Sequence, residues 1–406
     1  MVRYAKGREH ANHGGQAVQL TLRDLILSHL GEWIPRLVEA EIDEMLGRKR
    51  YERQENPHRK QYRNGFHKER TLSTGLGSIP LRLRRLREPF ESGIVQRYQR
   101  YTQEIGEVLP QLYLHGLATG DFQDALQVLL GEDAPLSGST IVRLKQQWEQ
   151  EYRQWRKRPL QGDYLYVWAD AVYPKAGPYD ESMAVLVVVG LNRKGVKELL
   201  AIEEGYREGY QSWHDVLRDI RKRGVRWIGL MISDGLDGLH KATRQVFPLT
   251  KHQRCFLHKM RNVVDKVPAK MHDEVLHALQ DMYDAKSRDQ ALELKRAFIV
   301  RYNKHYPAAV RSLLEAADQL FTYFDFPKSH WRSIKSTNAI ESMFNAVKLR
   351  TDAARRIPSR KSALFLVFKL LMRQEKRLHK IHGYTLVPET IDLKKHAQRT
   401  LLRKAA

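Results

Sequence analysis

The sequence predicts an α/β core followed by an all-helical stretch, with a mainly helical, basic region in front of it. Three observations predict this arrangement. Residues 164–232 read as three apolar strands, an amphipathic helix and a fourth strand. Residues 259–330 show helical periodicity only. The positive charge is concentrated in two segments that flank a near-neutral middle.

Taken in order, residues 20–50 read as helix. Leu22, Leu25, Ile26, Leu30 and Ile34 recur at helical spacing, and Leu37, Ile42, Met45 and Leu46 continue the stripe. Residues 51–70 are polar and basic, with Asn64-Gly65 as a turn signal. Gly75, Gly77 and Pro80 followed by LRLRRLR predict a basic hairpin or edge strand over 71–87. Helix returns over 101–132 and is broken at 131–135. Ser139 or Thr140 can then cap a helix running to about Arg158. That pair of helices fits a helix-turn-helix and plain helical packing equally.

The core follows. Residues 164–170 form an apolar strand ending in Asp170, 183–189 a buried strand, and 197–203 a third strand after the Asn192-Arg193-Lys194-Gly195 turn. Over 211–223, Trp213, Val216, Leu217 and Ile220 share one helix face. A fourth strand over 225–232 leads into Ser233-Asp234-Gly235. Three strands in a meander and a helical crossover place the fourth strand parallel to the first. Asp170 and Asp234 then meet at one end of neighbouring strands, the beginning of an RNase H-like fold. After the helical 259–330 stretch, 338–351 and 362–382 read as further helices. The tail from Thr390 reads as basic and poorly ordered.

The chain has 406 residues and a formal net charge of +23. Residues 48–87 hold 13 Lys/Arg against 3 acids, and residues 348–406 hold 16 against 4. Such segregation points to a polyanion. Aromatic and polar residues interleave the charge and no broad apolar helix face accompanies it, so nucleic acid is favoured over a membrane. One Cys excludes an intrachain disulfide framework and a multi-Cys zinc module. The opening residues carry no apolar stretch, so a secretory leader is not expected. The expected location is cytoplasmic and nucleoid-associated, with no membrane partner.

Phosphodiester chemistry on two Mg²⁺ ions needs about three carboxylates converging from rigid elements. Asp170 and Asp234 are two candidates, each alternatively a strand-end turn residue. Glu341 is the third. As a bland alternative it closes a capping box with Asn338. Against that, Glu341, Asn345 and Lys348 share one helix face, opposite Ile340, Met343, Phe344 and Val347. Cys255 and His258, with His252 nearby, raise a zinc question. Zinc would need a ligand from elsewhere, so a structural role or a non-zinc role beside the site is the better reading. His240 and His272 read as ordinary helix-surface residues.

These residues carry a resemblance. Trp331, the run Ser336-Thr337-Asn338-Ala339-Ile340-Glu341, and Asn345, Lys348, Arg350 and Thr351 resemble bacterial insertion-sequence transposases of the Mutator-like superfamily. So do the Cys255-Phe256-Leu257-His258 block, the Ser233-Asp234-Gly235 turn, and Tyr62-Arg63-Asn64-Gly65 with Arg70, Thr74 and Gly77. The resemblance implies a DDE triad on Asp170, Asp234 and Glu341, with Asp163 and Asp180 as alternatives to the first. It implies a metal-dependent enzyme using two Mg²⁺ ions, with Mn²⁺ able to substitute. Its partners would be terminal inverted repeats and target DNA, and it would act as a homodimer. Arg63, Asn64, Lys348 and Arg350 become DNA-backbone candidates, and Cys255 and His258 accessory residues. The implied organisation is a DNA-binding region over 1–100, a helix-turn-helix-like region over 101–160 and the catalytic core over 161–258. An all-helical insertion over 259–335, the glutamate-bearing helix of the core over 336–375 and a basic tail over 376–406 follow. A nuclease or junction resolvase and a non-catalytic DNA-binding regulator are the rival readings.

Overall fold

The computed structural model describes residues 21–52, 61–103, 138–176, 181–205, 209–353 and 359–405, with single positions 105, 114 and 357. The expected helix over 101–132, the break at 131–135 and Asp180 lie outside the described residues, apart from 101–103, 105 and 114 of the first. The chain divides into two compact units, residues 1–141 and 142–406.

In the first unit, α1 (Leu22–Leu46) begins in a capping box. Asp24 N–H donates to the Thr21 hydroxyl, and the Asp24 carboxylate accepts from Thr21 N–H. It ends at Gly47, whose φ of 64° is the left-handed stop that glycine adopts without strain. Strands β1 (Arg63–Phe66) and β4 (Arg84–Leu86) pair antiparallel, and β2 (Arg70–Thr74) and β3 (Gly77–Leu81) form the expected hairpin. Val38, Ile42 and Leu46 of α1 are buried with Leu72, Ile79, Leu81 and Leu86. This unit therefore mixes helix and strand, where a mainly helical region was expected. Asn64-Gly65 is not a turn. Gly65, at φ 70°, makes an irregularity inside β1.

The second unit is built on a mixed five-stranded sheet. Helix α2 (Gly138–Lys157) leads into β5 (Asp163–Val172), β6 (Ala184–Asn192) and β7 (Lys197–Gly205). Helix α3 (Tyr210–Lys222), β8 (Trp227–Ser233), α4 (Asp237–Val246) and β9 (Lys251–Arg254) follow. The strand order is β9–β8–β5–β6–β7. Strands β5, β6 and β7 run as an antiparallel meander, while β8 lies parallel to β5 and β9 parallel to β8. Residues 184–191 of β6 are all buried, as a strand covered on both faces requires. Trp213, Val216, Leu217 and Ile220 of α3 pack with Val167, Ala169, Leu186 and Val188 on one face of the sheet.

Alternation along β5 turns Tyr166, Trp168 and Asp170 to the opposite face. There Tyr166 hydrogen-bonds His330 at 2.7 Å and meets Phe326 edge-on. The helical segment after β9 comprises α5 (Phe256–Val264), α6 (His272–Tyr283), α7 (Arg288–Tyr302), α8 (Pro307–Leu314) and short 3₁₀ turns. It leads to α9 (Asn338–Ala353), which packs on β5, and then to α10 (Arg360–Glu375). The tail is not poorly ordered. It is α11 (Val387–Ala405), held to the core by Lys395–Asp163 at 2.7 Å, Arg193–Asp392, and the Trp227 indole N–H to Gln398. Among the described residues, no helix is long and apolar enough to cross a membrane.

Candidate active site

Register places the first two acids. Ile232 of β8 lies opposite Trp168 of β5 in parallel pairing. Carried two residues on, that register points toward Asp170 of β5 and Asp234, which stands just past the end of β8. Asp170 sits inside β5, opposite Val187, and accepts from the Ala171 N–H at 2.8 Å. Asp234 follows the last residue of β8. Its Oδ1 is buried without a hydrogen-bond partner. Burial raises its carboxyl above the ordinary value, against the attraction of His258 and Arg254.

The third acid comes from α9. Ile340, Met343, Phe344 and Val347 are buried, and Glu341, Asn345 and Lys348 lie on the open side, as their spacing predicts. The capping-box alternative fails on geometry. Asn338 N–H turns to the Ser336 hydroxyl, and Thr337 supplies the carbonyl that accepts Glu341 N–H. The Glu341 carboxylate accepts the Thr337 hydroxyl and faces His258, whose Nδ1 lies 3.7 Å from Glu341 Oε1.

His258 links all three acids. It stands in the first turn of α5, three residues after the helix-starting Cys255. It is pushed up to about 9, first by its hydrogen bond to Cys255, then, against burial, by the charges of Cys255, Glu341 and Asp170. Its own charge in turn favours the ionised form of Asp234. The block is pinned from both sides. Cys255 N–H donates to Ser233 O at 2.6 Å, next to Asp234, and Phe256 N–H donates to Lys335 O at 2.9 Å, just before α9. The glutamate helix is thus tied to the aspartate strand through the start of α5.

Sequence reasoning missed two residues here. Thr337 touches Cys255, His258 and Glu341, and its signal is its place four residues before Glu341. Arg254 donates from Nε to Asp234 O at 3.3 Å and lies against Gly235, where a Cβ would collide with the guanidinium. Gly235, at φ 100°, has the conformation and the space that only glycine supplies there. Beside it, Lys241, Arg244 and Arg254, with Asp237, Glu315 and His240, line a polar pocket. His240 is not a surface residue. It is buried against His252, ring centroids 4.5 Å apart. His272 is half-buried and hydrogen-bonds Val267 O.

The DNA-backbone candidates divide. Asn64 and Lys348 are exposed. Arg63 is committed to Glu39 and Asp43 of α1, and Arg350 is only 5% exposed. In the DNA-free chain the two guanidinium groups are thus turned to the protein. Of the alternative acids, Asp163 begins β5, at the other end of the strand, and pairs with Lys395.

Residues 9–380 match the family described as "Transposase, Mutator family". The chain is 40% identical over 284 residues to the transposase for insertion sequence element IS6120 of Mycolicibacterium smegmatis, covering 70% of this chain and 88% of the relative. It is 37% identical over 258 residues to that for element IST2 of Acidithiobacillus ferrooxidans, covering 63% and 87%. With that for element ISRM5 of Rhizobium meliloti it shares 30% identity over 402 residues, 97% of this chain and 99% of the relative.

Proposed function

The chain belongs to the Mutator family of transposases, and from that premise we propose that it cuts and joins DNA at the ends of an insertion sequence, with Asp170, Asp234 and Glu341 as its metal-holding acids on an RNase H-like sheet. The observation that carries this reading is the parallel register of β5 and β8, with Ile232 opposite Trp168, which supports bringing Asp170 and Asp234 to one end of the sheet. The charge coupling of His258 to Glu341, Asp170 and Asp234 supports the convergence of the third acid.

The residues fit Mg²⁺. The donor set is all carboxylate, as a hard cation prefers, and the buried Asp234 Oδ1 lacks the partner that a cation would provide. When bound, two ions stabilise the attacking and leaving oxygens of an in-line displacement. The protein's own part is positioning. Strands β5 and β8 fix the aspartates, α9 fixes Glu341, and Thr337 orients the Glu341 carboxylate. His258, carrying a proton, offsets the mutual repulsion of the three acids. In the first reaction, water attacks the phosphodiester at the element end and a 3′-hydroxyl leaves. In the second, that hydroxyl attacks another phosphodiester and displaces its 3′-oxygen. Joining needs two ends held together, so the reading includes a homodimer on DNA, with terminal inverted repeats and target DNA as partners.

The test uses duplex oligonucleotides carrying the DNA that flanks the gene, with Mg²⁺ or Mn²⁺. Wild-type protein should yield nicked ends and joined product. Asp234→Asn should keep its DNA affinity and lose cleavage by about a thousandfold, roughly 4 kcal/mol in the barrier. Cleavage by that variant within tenfold of wild type would remove the triad. Cutting without joining, when a free 3′-hydroxyl end is supplied, would make the protein a nuclease or resolvase.

A further inference from the structure

We propose that Cys255, His258 and Glu341 form a second cation site, for a thiophilic divalent ion with zinc as its preferred occupant, and that this site shares Glu341 with the acid triad. The ligand that zinc would have to borrow from elsewhere in the chain is Glu341. A sulfur, an imidazole nitrogen and a carboxylate oxygen from the three residues all lie within 4.8 Å of one another. His258 Nδ1 and Glu341 Oε1 are 3.7 Å apart. In a tetrahedral zinc centre, bonds of about 2.0–2.3 Å hold neighbouring ligands roughly 3.4–3.7 Å apart, so small side-chain movements close the set.

The donor chemistry separates this site from the triad. Magnesium takes oxygen ligands and rejects sulfur, whereas a thiolate, an imidazole and a carboxylate suit zinc. The support around the ligands matches too. Cys255 Sγ accepts from Thr337 N–H at 3.4 Å and lies 3.2 Å from Thr337 Oγ1, contacts of the kind that steady a metal-bound sulfur. Cys255 is fully buried, while His258 and Glu341 are partly open. Three protein ligands with one open side describe a site that keeps a fourth position for water. The Cys255 thiol and the His258 imidazolium each give a proton to solvent as the metal–sulfur and metal–nitrogen bonds form.

A Glu341 oxygen given to zinc is no longer free for magnesium. Zinc at Cys255 and His258 therefore competes with magnesium for the Glu341 carboxylate. This competition rests on the transposase reading above, while the cation site itself does not.

The test is a Co²⁺ titration of the metal-free full-length chain, followed by near-ultraviolet absorption. The sequence holds one Cys, so a sulfur-to-cobalt charge-transfer band can arise only from Cys255. A band that saturates at one equivalent and is bleached by Zn²⁺ is expected. Cys255→Ser should abolish it, and His258→Gln and Glu341→Gln should each weaken Zn²⁺ binding at least tenfold, with circular dichroism checking the fold. Asp170→Asn should keep the band while losing DNA cleavage. A wild-type chain with no band overturns the site, as does a Zn²⁺ affinity indifferent to both His258→Gln and Glu341→Gln. Micromolar Zn²⁺ should inhibit Mg²⁺-dependent cleavage by wild type. A bound zinc that leaves cleavage unchanged overturns the sharing of Glu341 alone. Undiminished cleavage by Asp170→Asn would count against the triad and leave the cation site standing.

Discussion

Glu39 and Asp234 are both partly buried carboxylates with arginine close by, and their surroundings answer them in opposite ways. In the first unit, Arg63 Nε and Arg84 Nε each donate to Glu39, at 2.9 and 3.2 Å. Burial pushes Glu39 up, but the bonds from Arg63 and Arg84 more than reverse it, so its carboxyl lies below the usual value. Asp234 has no such closure. Burial wins, its value is raised, and Oδ1 is left without a partner. A closed network is explained by the fold that it holds together. A buried orphan oxygen costs about 1–3 kcal/mol, and a fold that keeps one points to a missing ligand. The Lys/Arg-rich 48–87 segment thus spends Arg63 and Arg84 on its own architecture, while the near-neutral middle of the chain keeps the open group.

The contrast can be broken or sharpened by substitution. The largest effect should come from Asp170→Asn paired with Asp234→Asn, each ending cleavage while leaving the melting temperature level or higher, because an amide is easier to bury than a carboxylate. Simultaneous loss of activity and folded protein in both would erase the contrast. Next, Glu39→Ala takes a carboxylate from two guanidinium groups and leaves Arg63 only its pairing with Asp43. It should cost about 2–3 kcal/mol in denaturant unfolding, discounted from a fully buried pair because both arginines retain some exposure. A cost under about 0.5 kcal/mol would make the network ornamental.

The third effect is set by pH. Burial, then His240 and Arg244, hold His252 down to about 3. The unfolded chain protonates that side chain below its ordinary value of about 6.5, and the folded chain does so only near 3. Stability is therefore complete above 6.5 and falls as pH drops through that window, by up to about 1.4 kcal/mol per pH unit from this group. His252→Phe should flatten that slope in acid titrations of the melting temperature. The smallest effect should be Gly235→Ala, which forces a Cβ into a positive φ against Arg254. It should cost about 1 kcal/mol of stability and slow cleavage more than that cost explains, through displacement of Arg254 from Asp234.

Where apolar pattern and period coincide, the structure follows the sequence closely. The meander, the crossover helix with Trp213, Val216, Leu217 and Ile220 inward, and the parallel pairing of β8 with β5 were all readable that way. So was the open face of α9. What escaped notice was polar and buried. Strand β9, Lys251–Arg254, has no apolar alternation. Its Gln253 is buried because its amide bonds Leu320 O, Arg254 O and Tyr323 N–H, contacts more than sixty residues away except for its neighbour. His240 and His252 meet only after β9 is in place. Arg63 looked free because its partners sit on α1, some twenty residues upstream. Thr337 offered only its place four residues before Glu341, and its contacts with Cys255 and His258 arise once α5 lies beside it. The tail read as loose because Lys395 and Gln398 find Asp163 and Trp227 only in the folded chain.

Glu341 stands 107 positions after Asp234, beyond the whole helical excursion that returns it to the sheet. During translation both aspartates leave the ribosome with most of that excursion still unmade. A polypeptide truncated just before α9 carries Asp170, Asp234 and the full set of β-strands described here, yet lacks the third acid of the proposed triad. On the triad proposed above, the order of residues along the message would act as a safety catch, released only near the end of synthesis.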